Sequence, residues 1–124
     1  MKRSASFLIV LLGIFLLFAG FMTPTNPVPA DQPKGIPDSV WNVLKKCCLD
    51  CHSTNGGTMA RAHVDFDKWD TYSRDQQFAK AKDICDELLQ GKMPPGKYRK
   101  NNPGVVPTAK ENEVVCNWVR QIEK

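Results

Sequence analysis

Residues Lys45–Gly57 read "KKCCLDCHSTNGG", which places three cysteines and a histidine within six consecutive residues, Cys47 to His52. Upstream, Val40, Leu44 and Cys48 recur at four-residue steps with Trp41 alongside, so one apolar helical stripe runs into the cluster. Asp38 or Ser39, directly after Pro37, can cap that helix. The spacing predicts a helix that ends near His52, because "STNGG" is turn chemistry.

Cys48, Cys51 and His52 form C-x-x-C-H, the pattern of covalent c-type haem attachment. Two thiols about one helical turn apart can each bond one haem vinyl group. The histidine directly after the second thiol can set its imidazole under the iron. A redox-active C-x-x-C usually opens a helix after a strand, whereas this one closes a helix with no strand before it. A zinc site needs four ligands, commonly in pairs, and Cys85 and Cys116 are isolated singles. A plain disulfide within the motif is the remaining alternative.

Outside the leader, the methionines and histidine left for the iron's second axial position are Met59, Met93 and His63. Met93, in "GKMPPG", lies on a proline-stiffened loop and is separated from His52 by a helix, which leaves slack to reach the opposite haem face. His63 follows His52 by 11 residues on what reads as a short connector. Met93 is therefore the expected ligand, with His63, Met59 or an open position as alternatives.

Further along, "VDFDKWDTY" (Val64–Tyr72) suits a short helix with Phe66 and Trp69 on one side. A helix is expected from Arg74 to Gln90, capped by Ser73 and stopped by Gly91, with Phe78, Ala81, Cys85, Leu88 and Leu89 inward. "KMPPGKYRKNNPGVVP" is rich in proline and glycine and reads as irregular. "TAKE" (Thr108–Glu111) is a capping box opening a last helix with Val115, Trp118, Val119 and Ile122 buried. No strand run appears, so the domain is all-α, with three to four helices and long Pro/Gly-rich loops.

Around this unit, Lys2 and Arg3 precede an apolar run from Phe7 to Met22. Residues 1–22 read as a signal peptide or an N-terminal membrane anchor, with residues 5–22 as the anchoring stretch. Either places the remainder outside the cytoplasm, in the bacterial periplasm or on the outer face of the cytoplasmic membrane. Residues 23–37 hold five prolines in fifteen positions and read as a linker, leaving residues 38–124 as the folded domain. At that size a covalent staple or a cofactor is expected to support the core. From Asp38 onward 14 basic residues face 12 acidic ones, which is too even to argue for nucleic acid. Lys97, Arg99 and Lys100 form a local basic patch suited to docking a partner or simply to solvation.

After attachment, Cys47, Cys85 and Cys116 remain. In an oxidising compartment a bridge is favoured, and Cys85–Cys116 is the expected one, against a pair of small buried hydrophobes. Cys47 stays single, because with Cys51 it would give C-x-x-x-C-H, a less usual spacing. Trp69, Tyr72 and Tyr98 can each offer a donor to a haem propionate or simply pack.

On "CLDCHS", "VDFDKW", "KMPPGKY" and a final helix with "NWV", residues 38–124 resemble a small class I-type bacterial cytochrome c. More closely they resemble the exported single-haem "haem-binding domain" family. The resemblance implies a fold wrapped around one covalent haem c, with thioethers at Cys48 and Cys51 and iron between His52 and Met93. It also implies that the first and last helices cross, bringing Val40 and Leu44 to Trp118 and Val115. Between His52 and Val64 relatives carry an aromatic-rich segment, whereas this chain has "STNGGTMARAH". The function expected is electron carriage to redox partner proteins, not enzymatic catalysis. The alternative is a haem-based sensor or small-ligand module with a labile sixth ligand.

Overall fold

A computed structural model describes residues 31–123, and among these every regular element is helical. The signal or anchor expected at residues 1–22 and the first part of the linker lie outside the described residues. Within them, no helix is long and apolar enough to cross a membrane.

Three longer helices carry the core: α1 (Asp38–Cys47), α4 (Arg74–Leu89) and α6 (Ala109–Ile122). Short helices α2 (Leu49–His52), α3 (Thr58–His63) and α5 (Gly96–Asn101) bracket the loops. Two 3-10 turns cover Phe66–Thr71 and Pro103–Val105. α6 lies between α1 and α4 and packs on both. Val40, Trp41, Val43 and Leu44 of α1 join Val115, Trp118 and Val119 of α6 in one core cluster, so the expected pairing of first and last helices is present. Leu44 is fully enclosed, and its truncation to alanine is worth about 2–5 kcal/mol.

Behind these helices Trp69, 1 % exposed, sits in an aromatic group. Its ring centroid lies 5.9 Å from Phe66, 6.1 Å from Tyr72 and 5.8 Å from Trp118. The bridge Cys85–Cys116 is formed, with Cα atoms 5.1 Å apart, and ties α4 to α6.

The caps expected at Ser73 and at Thr108 close. Ser73 and Gln76 form one capping box, and Thr108 and Glu111 the other. Gly91 ends α4 at φ +64°, where its N–H bonds Leu88 O (3.1 Å) and the Lys92 N–H bonds Glu87 O (3.0 Å). That is a Schellman pair, and the left-handed φ favours glycine there.

Several expectations give way. The first helix does not run unbroken to His52: it bends at Cys48 (φ −124°, ψ −39°) and restarts as α2. The Cys47 thiol donates back to Val43 O at 2.9 Å, and such bonds to the i−4 carbonyl bend helices. The helix is entered from Pro37, with no side-chain cap from Asp38 or Ser39. Asp38 instead accepts from Gln32 Nε2.

The stretch read as irregular after Met93 contains α5 and a 3-10 turn, because Pro95 (φ −57°) and Pro103 are preset for helix entry. The connector after His52 contains α3. Leu89 points outward at 64 % exposure.

The packed unit also begins before residue 38. Pro33 and Ile36 are buried, Trp118 Nε1 donates to Gly35 O (3.1 Å), and the Lys34 N–H bonds Asp70 (2.8 Å). A proline-rich composition suggested an extended linker, but its last residues have a hydrophobe and backbone polar groups that the domain satisfies.

Candidate functional site

The site is built where α1 breaks. At Cys48 the chain turns, yet its N–H still reaches Leu44 O (2.8 Å), and its carbonyl receives the His52 N–H (3.0 Å) and Cys51 N–H (3.2 Å). The one-turn helix α2 thus sets the Cys48 and Cys51 side chains a helical turn apart. Both are free thiols and half-buried.

Cys47 is buried in the core. Its sulfur lies 3.7 Å from that of Cys48. The hydrogen bond to Cys47, then burial, pushes the Cys48 thiol well up. The same bond draws the Cys47 thiol down, with burial opposing it. Because the Cys47 S–H is given to Val43 O, its sulfur is left to accept from Cys48.

His52 Nδ1 lies 3.1 Å from Val64 O. A backbone carbonyl can only accept, so this bond needs the proton on Nδ1, and in the neutral ring Nε2 is then the lone-pair nitrogen. Val64 is held in place by its own neighbours. Its N–H reaches Ala60 O (3.3 Å) at the end of α3, and the next residue's N–H, on Asp65, bonds the Tyr72 hydroxyl oxygen (3.1 Å). The Asp65 carboxylate, 3 % exposed, takes Arg61 Nε (3.0 Å) and Nη2 (2.9 Å) and caps the 3-10 turn through the Asp67 N–H (3.2 Å). A buried carboxylate of this kind persists because it is paired and hydrogen-bonded.

The turn after His52 is equally constrained. The Thr54 N–H and hydroxyl both bond Asp67. A Cβ at Gly56 would fall 1.8 Å from the Cys51 carbonyl oxygen, so only glycine fits against the motif's backbone.

Met93 is half-buried, just past the Schellman end of α4, and Pro94 after it is buried. Five residues on, Tyr98 of α5 donates its hydroxyl to Asp50, between the two motif cysteines. The segment that carries Met93 is thereby fastened to α2. Met59, by contrast, is 81 % exposed, and His63 is exposed. Of the groups weighed as propionate donors, Trp69 lies within the aromatic group. The Tyr72 hydroxyl meets the Asp65 N–H, and the Tyr98 hydroxyl meets Asp50. Lys97 and Lys100 are exposed on α5, with Arg99 half-exposed beside them.

A haem fits this donor set. Two unbridged thiols stand one turn apart, and the adjacent histidine keeps an unprotonated Nε2 through a carbonyl bond of the kind that metal-ligating histidines make. Residues 57–121, just over half of the chain, match the haem-binding domain family model. The chain belongs to the haem-binding domain family. The matched segment of this haem-binding protein begins five residues after His52, so it includes Met93, Val64 and Tyr72 but not the C-x-x-C-H motif. Neither the curated proteins nor the solved structures contain a match.

Sequence reasoning singled out Cys48, Cys51, His52 and Met93. It missed the Val64 carbonyl, Asp50 and Gly56. A backbone acceptor has no residue-type signature, and the partners of Asp50 and Gly56 depend on where the chain folds back.

Proposed function

We propose that this haem-binding domain is a monohaem c-type cytochrome that carries electrons outside the cytoplasm. In this reading Cys48 and Cys51 hold the haem as thioethers, and His52 Nε2 and the Met93 sulfur are the axial iron ligands. The observation that supports it is the bond from His52 Nδ1 to Val64 O, which in the neutral imidazole leaves Nε2 with the free lone pair that an iron ligand needs.

The haem iron supplies a one-electron couple whose potential methionine raises relative to a second histidine. The chain's own residues would supply both axial ligands. Val64 fixes the rotation of His52, and the Tyr98–Asp50 bond restrains the approach of Met93. With both ligands bound, no coordination site would be left for a substrate, which favours electron carriage over catalysis. Met93 is preferred over Met59 and His63 because it is the half-buried member of the three. The apolar leader supports an exported location, and the basic residues of α5 suit a redox partner with an acidic face.

Intact mass and a visible spectrum of the full chain test this together. One haem should stay attached under denaturing conditions, with a sharp reduced α-band and the weak red absorption of methionine-to-iron ligation. Met93→Ala should keep the haem but lose the low-spin His/Met signature. An unchanged spectrum would overturn the axial assignment, and a CO-reactive high-spin ferrous wild type would favour the sensor reading. Release of all haem on denaturation would overturn covalent attachment.

A further inference from the structure

We propose that Tyr72 is a positioning residue for His52, acting through the single peptide group between Val64 and Asp65. The carbonyl of that peptide takes the His52 Nδ1–H at 3.1 Å, and its N–H donates to the Tyr72 hydroxyl at 3.1 Å. The peptide is conjugated and planar, so an acceptor at its N–H makes its oxygen a stronger acceptor. Linked hydrogen bonds polarise one another, by about 10–30 % per bond. Tyr72 thus strengthens the bond from His52, and the imidazole becomes more electron-rich at Nε2.

The tyrosine is well fixed for this task. Its ring meets Trp69 edge-on at 6.1 Å, and the Lys80 ammonium lies 4.7 Å over its face. The same ammonium bonds the carbonyl of His63, the residue before Val64, at 2.5 Å. Lys80 therefore clamps the tyrosine ring to the backbone that receives His52.

The inference rests on the reading of His52 as iron ligand. The test is a redox titration of the full-length holoprotein against Tyr72→Phe, which keeps the ring and its packing. The variant should retain covalent haem and an unchanged His/Met spectrum. Its potential should move upward, by the equivalent of about a two-fold or smaller rise in the ferrous-to-ferric ratio at fixed potential. Its Asp65 amide should exchange with solvent faster.

A potential that stays put or falls, with that spectrum retained, overturns the role of Tyr72 alone. Absence of covalent haem, or of histidine ligation in the wild type, overturns the reading beneath it. Should Tyr72→Phe fail to fold, NMR of the wild-type holoprotein carries the test. A slowly exchanging Asp65 amide and a proton on His52 Nδ1 are expected, and a rapidly exchanging Asp65 amide overturns the proposal.

Discussion

The Tyr98 hydroxyl donates to the Asp50 carboxylate, joining α5 to the inner residues of the C-x-x-C-H motif across 48 positions of sequence. The carboxylate holds the phenol above its ordinary pKa of 10, first through that hydrogen bond. A group whose folded pKa is raised stabilises the fold below its unfolded pKa and loses that contribution as pH rises through the folded one. The latch should therefore open above pH 10. Tyr98→Phe should open it at every pH, and under the proposed His/Met ligation this should weaken the methionine-to-iron absorption at neutral pH and remove its alkaline dependence. A pH series of visible spectra checks both.

Acid should act on a different contact. Lys46, one residue before the cysteine cluster, places Nζ 2.8 Å from both carboxylate oxygens of Glu111. That ammonium, helped by the Thr108 N–H, lowers the Glu111 pKa from 4.5 to about 2. The folded value is depressed, so the contribution is present above 4.5 and is lost as pH falls through about 2. Glu111→Gln should flatten the stability profile across that window and cost stability at pH 7. Denaturant titrations at stepped pH measure it.

Gly56→Ala should be poorly tolerated although the residue lies in a surface turn. The added carbon must displace the Cys51 backbone, since it would otherwise lie 1.8 Å from the carbonyl oxygen. Overpacking of this kind costs about 1–3 kcal/mol. The expected result is a lower unfolding midpoint and a reduced yield of covalently loaded protein. Gly57, with open space around its position, serves as the control for the same substitution.

Removing the Cys85–Cys116 bridge by a double alanine substitution opens a loop of 31 residues' separation. Chain-entropy arguments put its worth at about 3.5–4 kcal/mol. The denaturation midpoint should fall accordingly. The segment bearing Met93 lies inside this loop, so the methionine ligation proposed above should become more labile as well, read as faster exchange with added imidazole.

Cys47 and Cys48 separate cleanly by substitution. Cys47 is buried with its thiol on Val43 O, whereas Cys48 is half-exposed on the motif side. Cys47→Ala should leave haem attachment intact by mass, and Cys48→Ala should remove one thioether. Loss of attachment in Cys47→Ala would reverse the assignment of the two adjacent thiols.

Much of this protein was legible residue by residue. The four-residue stripe of Val40 and Leu44, the capping boxes at Ser73 and Thr108 and the stop at Gly91 are local signals. They depend on helical period and backbone sterics, so a linear sequence carries them in full. The C-x-x-C-H motif is local too, because its chemistry needs only one helical turn. The bend at Cys48, the helix after Pro95 and the docking of Gly35 and Ile36 were not legible. Each depends on a carbonyl, a proline φ or an indole finding a partner that composition does not name. Only the tertiary structure brought Val64 O to His52, Tyr98 to Asp50 and Tyr72 to the peptide behind the histidine. These are contacts across 7 to 48 positions, made by backbone groups and hydroxyls that look alike until the chain has folded.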